Sequence, residues 1–128
     1  MKSENRTDLV KYRMQRAEQS LSEAAVLLEN PLPHAAINRL YYACFYSVLA
    51  VLVKNKIETK THSGVRHQFH LHFVKNGSFD KELGKFYSAI FDKRLAGDYN
   101  DFYEIEIEYV QSLQTPASQF VEKIKALL

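Results

Sequence analysis

The stretch Asn38-Arg39-Leu40-Tyr41-Tyr42-Ala43-Cys44-Phe45-Tyr46-Ser47-Val48-Leu49-Ala50-Val51-Leu52-Val53 decides the fold. From Leu40 it runs apolar and aromatic for fourteen residues, yet it opens on an amide and a guanidinium. A bilayer crossing needs about 20 residues, and an ordinary strand uses only about 5–6. A helix that is apolar nearly all round must be covered on several sides. The stretch therefore predicts the central helix of a helical domain, about His34 to Lys54, with Asn38 and Arg39 at the edge of its core.

Working outward, Met14, Ala17, Leu21, Ala24 and Leu28 form one stripe at spacings of three and four, which predicts a helix over about Thr7–Leu28. Asn30-Pro31-Leu32-Pro33 ends it, and Pro33 suits the first turn of the central helix. After a polar loop, Thr61 or Ser63 can cap a third helix running to about Val74, closed by Asn76-Gly77. Ser78 is the expected cap of a fourth, whose stripe Leu83, Phe86, Tyr87, Ile90, Phe91 extends to Arg94, with Gly97 as its stop. Glu104–Tyr109 alternates with period two, as an exposed strand does. A lone strand would have no partner, so a final helix from about Ile105, bent at Thr115-Pro116, fits better. The expectation is all-α, an up-and-down bundle of four to five helices in one domain, residues 1–128.

Composition narrows the class. A chain of 128 residues with 46% hydrophobic content suits one globular domain. The N-terminal segment is polar, so no signal peptide is expected; one cysteine rules out an internal disulfide, and cytoplasm is the default compartment. Net charge of +2 does not by itself argue for nucleic acid. Its distribution is uneven: five basic residues against Glu58 between Lys54 and Lys75, then five acids and no Lys or Arg between Asp98 and Glu108.

Chemistry concentrates at few places. Arg94-Leu95-Ala96-Gly97-Asp98-Tyr99 sets an arginine on a core-facing stripe, where it needs a partner. Asp98 is a plausible one, either as a structural pair or as part of a cleft that holds a phosphate in the guanidinium fork. Lys60-Thr61-His62-Ser63-Gly64-Val65 opens the third helix, either as an ordinary capped start or as an anion site at exposed N–H groups. His67, His70 and His72 lack the cysteines or acids of a zinc set, and His72 falls on the apolar stripe. No phosphate loop, nucleophile elbow or core carboxylate pair is present, and no metal or cofactor is expected.

Asn38-Arg39-Leu40-Tyr41-Tyr42-Ala43-Cys44-Phe45 resembles the (S/N)RxYYAxF signature of HEPN domains. The segments Lys60–Val65, Phe73-Val74-Lys75-Asn76-Gly77 and Arg94–Tyr99 are similar to later blocks of that family in the same order, and Ala117–Val121 to its C-terminal helix. The resemblance implies a helical bundle that dimerises with its polar motif near the dimer cleft. Many such proteins pair with a minimal nucleotidyltransferase in toxin–antitoxin systems, and others cut RNA without a metal. In those ribonucleases an arginine is followed, after four to six spacers, by a histidine. Here Arg94 takes the arginine position, Tyr99 stands where four spacers would place the histidine, and no histidine follows His72. Tyrosine, with a pKa of about 10, is a poor general base at neutral pH. His62 could substitute if the fold brings it near Arg94.

Three readings follow. The first is a homodimeric binding module partnered by a nucleotidyltransferase, holding RNA phosphate, a nucleotide or the partner through Asn38, Arg39, Lys60, Arg94, Asp98 and Tyr99. The second is a metal-independent ribonuclease using Arg94 with Tyr99 or His62. The third is a purely structural Arg94–Asp98 cluster.

Overall fold

A computed structural model describes residues 2–99 and 104–128, apart from the side chains of Asp98 and Tyr99. Its helices are α1 (Ser3–Glu29), α2 (Pro33–Lys54), α3 (His62–Phe69), α4 (Lys81–Tyr99), α5 (Ile107–Ser112) and α6 (Gln114–Lys125). A π-helical turn, His70–Val74, continues α3. No strand occurs among the described residues. With α5 and α6 read as one helix broken at Leu113, the described residues form five helices, within the four to five expected.

α2 is the axis. Its buried residues face every direction, from Ala36 and Ile37 to Val51 and Leu52, and its contacts reach α1, α3, α4, α5 and α6. By length and composition it could cross a membrane, but 67% of its most apolar window is covered by the rest of the chain. That cover is what a core helix requires. α1 makes the largest interface with it. Ala17 and Ala24 on α1, and Ala36, Ala43 and Ala50 on α2, are all fully buried at seven-residue intervals. Small side chains at that period let two helix backbones approach along one seam. Cys44 is buried in the same core, and burial pushes its thiol pKa far above the ordinary range.

Several helix ends differ from the sequence expectation. α1 begins at Ser3 rather than Thr7. α4 is capped by Asp80, whose Oδ1 accepts from the Leu83 N–H at 2.9 Å, and not by Ser78. Gly97 does not stop α4, which runs on to Tyr99; a glycine within a helix costs only about 1 kcal/mol against alanine, and neighbouring turns can carry it. The C-terminal break falls at Leu113. Pro116 sits in the first turn of α6, where its missing N–H costs nothing. Gly77 takes φ +83° in the turn after the π segment, as Asn76-Gly77 predicts.

Candidate functional site

The site grows from one face of α2. Asn38, Tyr41, Tyr42 and Phe45 lie three and four residues apart and therefore share a face. Onto it come two side chains from elsewhere: His62, the first residue of α3, and Arg94, near the end of α4. His62 is fixed by its own turn. Thr61 is the N-cap, and its Oγ1 accepts from the Gly64 N–H at 2.9 Å. A Cβ at position 64 would lie 2.9 Å from that same oxygen, so the cap needs glycine there. The Thr-His-Ser-Gly motif is thus a capped helix start that holds His62 in place.

His62 Nδ1 and the Tyr41 hydroxyl are 2.8 Å apart. The imidazole also stacks on Phe45, with ring centres 4.2 Å apart and planes at 7°. Its Nε2 has no hydrogen-bond partner among the described residues. The proton between Nδ1 and Tyr41 can belong to either group, and Nε2 is accordingly an acceptor or a donor. Tyr41 is fully buried. Burial, more than any neighbour, raises its hydroxyl pKa well above the ordinary value, while Arg94 opposes the rise.

Arg94 reaches the same group of rings. Its Nε donates to Asn38 Oδ1 and its Nη2 to the Tyr42 hydroxyl, each at 3.3 Å. The guanidinium carbon lies 5.1 Å from the Tyr41 ring centre and 5.4 Å from that of Tyr42, within cation–π range. His62 feels this charge. Partial burial first, and Arg94 second, depress its pKa below 6.5, which leaves the imidazole neutral at pH 7.

The other expected residues lie elsewhere. Arg39 does not meet Arg94 directly: it packs over the Tyr42 ring at 5.0 Å and comes within 3.9 Å of Glu23. Lys60 is exposed in the loop before α3 and belongs to a separate cavity. The side chains of Asp98 and Tyr99 are outside the described residues, and so is the expected Arg94–Asp98 pair. His72, expected as a core or interface histidine, is exposed and bonds Gln68, so it is not in the core of this chain. His70 instead turns both ring nitrogens to backbone carbonyls, those of Arg66 and Gly84. Tyr41, Tyr42 and Phe45 were the residues that pattern reading missed, because aromatic rings on an apolar helix read as packing. The available signal was that they follow Asn38 at helical spacing and two of them carry hydroxyls.

A family model described as the HEPN domain matches residues 10–127. The chain belongs to the HEPN domain family. A UPF0332 protein of Thermotoga maritima is 41% identical to it over 120 residues, 94% of this chain and 91% of that one. Two proteins of Methanocaldococcus jannaschii, named "Putative toxin MJ0605" and "Putative toxin MJ0142", are 36% and 32% identical. Those alignments cover 88% and 90% of this chain, and 83% and 78% of the relatives. The HEPN signature on α2 is therefore the face that receives His62 and Arg94.

Proposed function

We propose that this HEPN protein is a toxin-type component that binds single-stranded RNA at the Arg94–His62 cluster and cleaves it without a metal. The observation that carries the reading is the convergence of a neutral imidazole and a guanidinium on Tyr41. A guanidinium suits a phosphodiester, since its planar fork matches two phosphate oxygens and stays charged. A neutral imidazole is the side chain best matched to proton transfer near pH 7. His62 Nε2 takes the proton of a ribose 2′-hydroxyl, and that oxygen attacks phosphorus. Arg94 stabilises the charge that gathers on the phosphoryl oxygens. The 5′-oxygen leaves with a proton from solvent water, producing a 2′,3′-cyclic phosphate and a 5′-hydroxyl end, and His62 returns its proton to solvent. Tyr41 sets the tautomer and orientation of His62 and is too weakly acidic in its buried setting to serve as the proton source.

The names of the two archaeal relatives support a toxin-like role; the family resemblance alone adds a minimal nucleotidyltransferase as antitoxin. A homodimer is supported by Tyr46. This half-buried side chain continues the row from Tyr42 along α2 and stays only partly covered by this chain.

The test is incubation of purified protein with a labelled single-stranded RNA in EDTA. Cyclic-phosphate ends are expected from the native protein, with loss in both Arg94→Ala and His62→Ala. RNA left intact by the native protein at high concentration sinks the enzyme reading. If that protein also fails to retain RNA on a filter, the binding reading goes with it. Recovery of no nucleotidyltransferase from the native host removes the proposed second component.

A further inference from the structure

A cavity of about 370 Å³ opens on the side of the bundle lined by α1 and the loop between α2 and α3. Its volume lies within the range of about 300–1,000 Å³ usual for small-molecule sites. The floor is aliphatic, with Leu49, Leu52, Val53 and Ile57. Around it stand four cationic side chains, Arg6, Arg13, Lys56 and Lys60, against one carboxylate, Glu58. No aromatic side chain among the described residues lines it, so they offer no platform for stacking a nucleobase.

Two of these cations sit at defined places in the fold. Arg13 lines the cavity from α1 as a half-buried side chain. Lys56 lines the wall with φ +59°, a left-handed conformation that lysine rarely adopts and that only surrounding structure can hold. That support is visible: the Ile57 N–H bonds Leu52 O at 2.9 Å and the Lys56 N–H bonds Val53 O at 3.0 Å.

We infer that this cavity binds an amphiphilic anion, a phosphate or carboxylate head on an aliphatic body. The head sits at Arg13 with Lys56 and Lys60 around it, and the body lies on Leu49, Leu52, Val53 and Ile57. A charged head answers four cations set against one carboxylate, and an aliphatic body suits the floor of Leu49, Leu52, Val53 and Ile57. Glu58 disfavours heads of high negative charge. The site is separate from the Arg94–His62 cluster, yet the loop that walls it ends on Thr61, the cap that holds His62.

Calorimetry with monomeric octyl phosphate and, separately, octanoate tests this and tells the two head groups apart. Saturable 1:1 binding of at least one is expected, with inorganic phosphate and octanol each binding more than tenfold more weakly. Arg13→Gln is expected to lose roughly 10- to 100-fold in affinity, the range for one charge-assisted hydrogen bond. Lys60→Ala, an exposed loop position that poses little risk to folding, is expected to weaken binding and flatten its salt dependence. Binding should also slow amide exchange across residues 57–60. No saturable binding of either amphiphile overturns the proposal. So does binding that is unchanged in both variants, or inorganic phosphate that binds as tightly as the amphiphiles. None of these outcomes depends on RNA cleavage.

Discussion

The Tyr41–His62 contact can be measured by a double-mutant cycle, because removing either partner has a different cost. His62→Ala leaves the Tyr41 hydroxyl buried without the imidazole it meets at 2.8 Å. An unsatisfied buried hydroxyl costs about 1–3 kcal/mol. The same change deletes the stack on Phe45, worth about 0.5–1.5 kcal/mol. Together these predict a loss of about 2–4 kcal/mol. Tyr41→Phe is milder. It removes one hydrogen bond, but His62 is only partly buried and its Nδ1 can turn to water, so the loss is about 1 kcal/mol. In the Tyr41→Phe background, His62→Ala should then cost only the stack. The coupling is the difference, about 1–3 kcal/mol. The assay is urea or thermal unfolding followed by circular dichroism at pH 7.5, where His62 is neutral in both states. For a chain of this length about 1 kcal/mol moves the melting temperature by roughly 3–5 °C, so His62→Ala alone should melt about 6–20 °C lower. If His62→Ala costs the same in both backgrounds, within about 0.3 kcal/mol, the bond contributes nothing and the reasoning is wrong. Cleavage supplies a second readout: Tyr41→Phe should retain some RNA cleavage while His62→Ala has none.

Three further outcomes are expected. The His62 ring resonances should titrate below 6.5 in the native protein. In Arg94→Gln the midpoint should rise yet stay below 6.5, since burial, the larger cause, remains; an unchanged midpoint would refute electrostatic contact between the two groups. Because the folded pKa is the lower one, the unfolded chain binds the proton more readily. His62 thus contributes stability that is full above pH 6.5 and is lost as pH falls through the folded pKa, a slope that His62→Ala should flatten in melting curves. Thr61→Ala should cost about 1 kcal/mol through the lost cap and reduce cleavage by loosening His62, both read on the same preparation. Gly84→Ala sets a Cβ 3.0 Å from both methyl carbons of Val74. Crowding of about 1–3 kcal/mol should outweigh the gain in helix propensity, and adding Val74→Ala should recover part of the loss in melting temperature.

Much of the bundle was legible because its signals are local. α2 declares itself by being apolar on all sides, and Pro33 and Thr61 sit where cap chemistry requires. The errors fall where two local signals compete and packing decides. Ser78 and Asp80 are both acceptable caps, and Asp80 holds the position because α4 starts at Lys81, which leaves Ser78 two residues too early, in the turn where Asn76 Oδ1 accepts from its N–H. Pro116 reads as a bend inside a helix but is a first-turn proline of α6, since the chain breaks three residues earlier, at Leu113. The π turn at His70–Val74 has no sequence signature that periodicity can detect, because it adds one residue to a turn without changing residue type.

The site was half legible for a different reason. Arg94 follows Ile90 at the i+4 step, so its place on an inward stripe could be read directly. His62 could not be placed, since it stands 32 residues before Arg94 and 21 after Tyr41, and only the return of the α2–α3 loop brings the three together. Spacing motifs assume that a histidine working with an arginine must follow it closely on the same helix. In this fold Tyr41 brings a histidine and an arginine together without that spacing. A fully buried phenol needs a partner for its hydroxyl, and its ring face attracts a cation. One side chain on the core helix therefore draws an imidazole from one helix start and a guanidinium from another helix end. The pair is set by what Tyr41 must satisfy rather than by sequence distance, and the same residue makes the site part of the core. Substitutions at Tyr41, His62 or Arg94 should consequently register in both melting and cleavage, and only their pairwise couplings separate the two roles.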